Sequence, residues 1–219
     1  MDELTPGVLV LGIGNLLWAD EGFGVRCAEV LAAGWDFPAS VRVMDGGTQG
    51  LYLLPYVQSA RRMVVFDAID YGLEPGTLRE VIGKDVPMFM GAKKMSLHQT
   101  GFQEVLASAA LLGQLPEEIV LIGVQPAELD DYGGSLRPAV RDRIPEALAL
   151  ALEWLSRWGV PGRARTTAPE PITDQALEIS RYEAGRPSPE MACRFGDLRF
   201  IETMLPSPSG ANAQTPGES

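Results

Sequence analysis

The sequence predicts an α/β fold, a three-layer sandwich with a mostly parallel twisted sheet and helices on both faces. Three observations lead there. Short continuous apolar runs at residues 8–13, 63–66 and 119–124 have the length and branched content of strands buried on both faces. Between them, apolar residues recur at helical spacing, as at Phe23, Cys27, Val30 and Leu31. The runs end in glycine, acid or amide, the chemistry expected at the carboxyl edge of an open sheet, and right-handed crossovers place helices on both faces.

The first run leads into Gly12-Ile13-Gly14-Asn15-Leu16-Leu17-Trp18-Ala19-Asp20-Glu21-Gly22-Phe23-Gly24. The third glycine of a dinucleotide fingerprint is missing, and two carboxylates would repel a pyrophosphate, so this is not a phosphate loop. A helix is expected over residues 22–33, with Asp20 as its N-cap, Glu21 in or beside its first turn and Gly34 as its stop. Residues 41–44 alternate as a second strand ending at Asp45-Gly46-Gly47-Thr48, and a short helix over 50–58 follows. The strand at 63–66 runs straight into Asp67. Asp70-Tyr71-Gly72 and Pro75-Gly76 are turn signals ahead of an edge strand at 77–82. Residues 84–97 read as a loop whose Met88, Phe89, Met90 and Met95 plug the core from above, or else form an adaptable docking lip. His98 stands just ahead of a helix over 100–112 with Phe102, Val105, Leu106 and Ala109 inward. The run at 119–124 ends at Gln125-Pro126. A last helix spans 138–158 on a stripe of Ile144, Leu148, Leu152 and Leu155, bent or divided by Pro145.

Composition divides the chain into a domain over residues 1–160 and a Pro-rich, largely disordered extension over 161–219. Eight of the 17 prolines fall in that extension, with much Ser, Thr, Ala and Glu. Residues 191–205 are its one candidate for a short helix or docking segment. A formal net charge of −11 argues against nucleic acid, whose phosphates need clustered Lys and Arg. Two distant cysteines, Cys27 and Cys193, match no zinc or redox spacing. No membrane-length apolar run or signal peptide is visible, so a cytoplasmic monomer with no membrane partner is expected.

A single histidine excludes a HExxH zinc site and any two-histidine metal site. There is no Gly-x-Ser-x-Gly elbow for a hydrolase serine, and Cys27 lies on an inward helical stripe. What remains is a set of polar residues at strand ends: Glu21, Asp45, Asp67 and, by a loop, His98. Two carboxylates and one imidazole make a three-ligand set for a divalent transition metal with positions open to substrate or water. Each residue also has a structural role open to it, Glu21 as a first-turn acid, the aspartates as caps or turn formers, His98 as a loop residue. Asp70 reads as a turn residue only.

Taken together these segments resemble the nickel–iron hydrogenase maturation endopeptidases. The run from Gly12 to Gly24 is similar to that family's first motif, Asp45-Gly46-Gly47-Thr48 to its second and Phe66-Asp67-Ala68 to its third. Ser96-Leu97-His98-Gln99-Thr100-Gly101 is similar to the fourth and Leu121-Ile122-Gly123-Val124-Gln125-Pro126 to the fifth. The resemblance covers about residues 7–160 with all five motifs in order, and the Glu-Gly-Phe-Gly form of the first motif resembles the branch serving membrane-bound uptake hydrogenases. It implies an aspartyl-type or metal-dependent endopeptidase that removes a C-terminal extension from the hydrogenase large-subunit precursor after nickel insertion. It also implies that Glu21, Asp67 and His98 meet nickel presented by that precursor, and that Asp45 matches an acid implicated in activity. Truncation after Arg165 is then expected to leave cleavage largely intact. The competing reading is a non-hydrolytic, nickel-sensing chaperone of the same large subunit; a nucleotide-binding enzyme is a distant third.

Overall fold

The structure, a computed structural model, describes residues 7–86, 97–167 and 169–186. Strand β1 (Val8–Ile13) is buried at every position and forms the axis of the sheet. Its alternate side chains serve two separate cores. Val8 and Val10 join one, while Leu9, Leu11 and Ile13 join the other. Strands β4 (Arg62–Ala68) and β6 (Glu118–Val124) repeat the pattern, which is why all three read in sequence as unbroken apolar runs.

The five-stranded sheet has the order β3-β1-β4-β6-β5, with β3 (Val41–Gly47) at one edge and β5 (Leu78–Ile82) at the other. Pairings among β3, β1, β4 and β6 are parallel; β5 alone runs antiparallel to β6. Helix α1 (Phe23–Gly34) covers one face through Phe23, Cys27 and Leu31. A helix pair, α4 (Pro138–Arg141) and α5 (Ile144–Arg157), shares that face through Val140, Ile144, Leu148 and Leu155. The other face is covered by a 3₁₀ turn (Gly50–Leu53), α2 (Leu54–Ser59) and α3 (Leu97–Leu111), through Leu53, Val57, Phe102, Val105 and Leu106. The expected three-layer α/β sandwich is therefore observed.

Pro145 divides the last helix, one of the two expected outcomes: it occupies the first turn of α5, where its missing N–H costs nothing. Other local expectations change. Helix α3 starts at Leu97, which puts His98 inside its first turn rather than ahead of it. Asp20 is not a helix cap. It lies in a 3₁₀ turn (Ala19–Gly22), and the residue at the N-cap of α1 is Gly22, with no side-chain cap bond. The methionine-rich stretch expected to plug the core falls mostly in residues 87–96, outside the described residues, as do residues 191–205.

The compact unit runs through Arg186, beyond the composition boundary at Pro161; a second unit comprises residues 187–219. A two-residue strand, β7 (Arg163–Ala164), pairs antiparallel with β2 (Trp35–Asp36). Beyond it, α6 (Ile179–Ala184) closes a strap over α1. Arg26, 3% exposed, donates from Nη1 to the carbonyl of Leu177 at 2.6 Å and to Glu29 at 2.8 Å. Thr173 Oγ1 donates to the same Glu29, and the Tyr182 ring stacks 5.9 Å from the Arg26 guanidinium. A buried guanidinium needs acceptors, and the strap supplies one of them.

Candidate functional site at the carboxyl edge of the sheet

After β1 the chain passes to β3 on one side, and from β3 it returns across to β4 on the other. The carboxyl ends of β1 and β4 therefore flank the point where connections diverge, the place where open α/β sheets leave a crevice. The turn after β1 carries Glu21, and β4 ends in Asp67.

That crevice is built by glycine. A Cβ at Gly24 would lie 2.2 Å from the carbonyl oxygens of both Ile13 and Phe66, and one at Gly12 would lie 2.3 Å from the carbonyl oxygen of Gly24. The first turn of α1 thus rests directly on the ends of β1 and β4. Gly14 has φ +140°, and a Cβ there would meet the carbonyl oxygen of Glu21 at 1.8 Å. The glycine motif, which the sequence already set apart from a phosphate loop, is a packing device that brings the Glu21 turn against the strand ends.

Asp67 is fully buried and accepts a hydrogen bond at Oδ1 from the N–H of Ala68 at 2.8 Å. Strand alternation puts it on the face of Met63 and Val65, the face covered by α3. A Cβ on Gly101 would meet Gly50 at 3.5 Å, so the start of α3 sits over the turn that follows β3, at the same carboxyl edge. His98 precedes Gly101 by less than one helical turn, and its side chain lies outside the described residues. Glu21, Asp67 and the backbone of His98 are thus brought to one edge. Among the described residues no three His, Cys, Asp or Glu side chains form a metal-holding group.

Asp45 is placed differently. It pairs with Gly12 in register and shares its side of β3 with Val41 and Val43, which pack on the α1 face. Its carboxyl is pushed up to about 6, first by burial and then by the charge of Glu29, against a lowering bond from Gly47 and the charge of Arg26. Its Oδ1 is buried with no hydrogen-bond partner among the described residues. The structure separates Asp45 from Asp67 by the thickness of the sheet.

Three further residues shape this edge. Gln125, 6% exposed, accepts from the N–H groups of Tyr71 (2.8 Å) and Leu73 (3.1 Å) and donates to Asp70 Oδ1 at 3.0 Å. Asp70, which also accepts from Gly72 N–H at 2.9 Å, is the turn residue the sequence indicated. Tyr71 lies across Gly123, the cross-strand neighbour of Asp67; a Cβ there would meet its hydroxyl at 2.3 Å. Burial and then the Asp67 charge hold its phenol above the usual tyrosine range. Asp70 was signalled as a turn residue and Gln125 by its position in the fifth motif. Tyr71 looked like any turn residue.

Residues 25–154 match the family model described as hydrogenase maturation protease. The chain is 60% identical over 197 residues to the hydrogenase expression/formation protein HoxM of Azotobacter vinelandii, covering 90% of this chain and 95% of that one. It is 36% identical over 154 residues to the hydrogenase 2 maturation protease of Escherichia coli K12, covering 70% of this chain and 93% of that one. Among solved structures, the E. coli hydrogenase maturating endopeptidase HybD superposes with a TM-score of 0.69 at 35% identity, covering 73% of this chain and 98% of that one. The motifs, the fold and the crevice converge on one conclusion: this chain belongs to the hydrogenase maturation protease family.

Proposed function

We propose that this protease removes the C-terminal extension of a nickel–iron hydrogenase large-subunit precursor once nickel has been inserted, and that Glu21, Asp67 and His98 engage the nickel carried by that substrate. The observation that carries this reading is the gathering of the Glu21 turn, buried Asp67 and the first turn of α3, which contains His98, at one edge of the sheet. Two carboxylates and an imidazole form a mixed oxygen and nitrogen donor set suited to a borderline divalent ion. Asp67, fixed by the Ala68 N–H, is preorganised for such a role. With the precursor docked, its metal would sit at the crevice mouth, where the scissile carbonyl is polarised or a water activated for attack. Hydrolysis then adds the water oxygen to the carbonyl carbon, breaks the C–N bond and leaves the proton on the departing amine.

Dependence on substrate-borne nickel makes cleavage a checkpoint, because an empty precursor offers nothing for the three residues to engage. Asp45, on the opposite face, stands outside this donor set. Membership of a protease family favours hydrolysis over the chaperone reading. No described helix is long and apolar enough to cross a membrane. The test is mass spectrometry of nickel-loaded and nickel-free precursor after incubation with wild type and with His98→Ala. Wild type alone, on loaded precursor alone, is expected to release a defined C-terminal peptide. Equal cleavage of both precursors would overturn the checkpoint, and cleavage by His98→Ala would remove His98 from the site.

A further inference from the structure

The loops that follow β1 and β6 are stitched together through one carboxylate. Asp20 is completely buried and accepts three backbone hydrogen bonds: at Oδ2 from Ala127 (2.8 Å) and Glu128 (2.9 Å), and at Oδ1 from Arg137 (2.7 Å). Its own N–H donates to the Glu128 carbonyl at 3.1 Å. The chain reaches this position through Ala19, whose φ of +36° is one that L-residues seldom hold and that only surrounding contacts sustain. On the outer side Gly133 N–H donates to the Leu17 carbonyl at 2.7 Å, and the Trp18 and Tyr132 rings meet edge to face at 5.3 Å.

Glu21 is the next residue in the same 3₁₀ turn, and the Gly14 contact closes over its carbonyl. Successive residues of such a turn project about 120° apart. Anchoring Asp20 inward therefore fixes the direction in which Glu21 leaves the backbone. We propose that Asp20 is a positioning residue for cleavage, holding the turn so that Glu21 meets the substrate in one orientation. The proposal rests on the role of Glu21 given above.

Asparagine in place of Asp20 keeps one acceptor oxygen and turns an NH₂ group toward the remaining backbone donors, so at least one of the three bonds is lost. Residues that orient a metal-engaging side chain typically contribute a factor of about 10–100. Asp20→Asn is expected to lower kcat on nickel-loaded precursor by about that factor, with KM little changed. The discriminating measurement is the cycle of Asp20→Asn, Glu21→Gln and the double variant. If Asp20 acts through Glu21, the double variant is no slower than Glu21→Gln alone.

Losses that multiply would assign Asp20 a purely structural part and overturn the proposal. Glu21→Gln cleaving at the wild-type rate would overturn the role of Glu21 itself, a distinguishable failure. Should Asp20→Asn not fold, the other end of the clamp is accessible. Arg137 has φ −67°, which proline adopts. Arg137→Pro deletes the N–H given to Asp20 Oδ1, whereas Arg137→Ala keeps it and removes the same side chain. Arg137→Pro is expected to show the lower kcat of the two, and equal rates would overturn the proposal.

Discussion

Asp45 illustrates how a single carboxyl links burial to stability. Its pKa is raised from 3.8 to about 6 in the folded protein. The native state therefore binds more protons than the unfolded chain between those values, and stability falls as pH rises from about 4 to about 6. Above that window the charged form is carried at a constant cost. Asp45→Asn, which cannot ionise, is expected to raise Tm at about pH 7, with the gain shrinking as pH falls through the window. Thermal melts of both proteins across that range check it. In the sequence, Asp45 and Asp67 looked equivalent, each an acid at the end of an apolar strand. What separates them is the two-residue alternation of β3 and β4 relative to their shared neighbour β1, a register that exists only once the strands pair. Asp20 shows the same limit. Its donors lie 107, 108 and 117 residues further on, so no local pattern distinguishes it from an ordinary helix cap.

The strands and helices themselves were legible because each obeys one period. Runs without alternation gave β1, β4 and β6; helical spacing gave α1, α3 and α5. The strap beyond Pro161 was not legible, since its composition is that of a loop and its order comes from polar bonds to Arg26 and Glu29 and from contacts around Tyr182 and Glu183. Tyr182 donates to the Gly134 carbonyl at 3.3 Å, and Glu183 receives Ser135 Oγ at 2.6 Å and Arg141. Those bonds reach the loop that Asp20 clamps, so a chain ended after Arg165 loses a strap that one ended after Arg186 keeps. Ending the chain after Arg165 leaves the buried Arg26 without its Leu177 acceptor, a loss on the order of 2 kcal/mol. That corresponds to roughly 4–8 °C in Tm for a chain of this size. Differential scanning calorimetry of chains ended after Arg165 and after Arg186 is expected to show the lower Tm for the shorter.

For the molecule as a whole, the described residues form two cores on opposite faces of the sheet, one under α1 and α5, the other under α2 and α3. The proposed chemistry belongs to the second, while the strap and Asp45 belong to the first. The fold was legible from the periods of its segments and family membership from five short motifs in order; the division of labour between faces was not. One residue of the first core gives that division an experimental handle. Cys27 is completely buried in α1, and burial pushes its thiol well above the usual range, so the native protein keeps it from reacting as a thiolate. In a Cys193→Ser background its modification by an alkylating reagent is expected to proceed only through opening of the α1 face. Labelling that keeps pace with opening of the α3 face, followed by amide exchange at Val105 and Leu106, would mean that the faces unfold as one. Labelling at a different rate would make the protein two cooperative units sharing a sheet, so that the α3 side could loosen around an incoming precursor while the α1 side stayed closed.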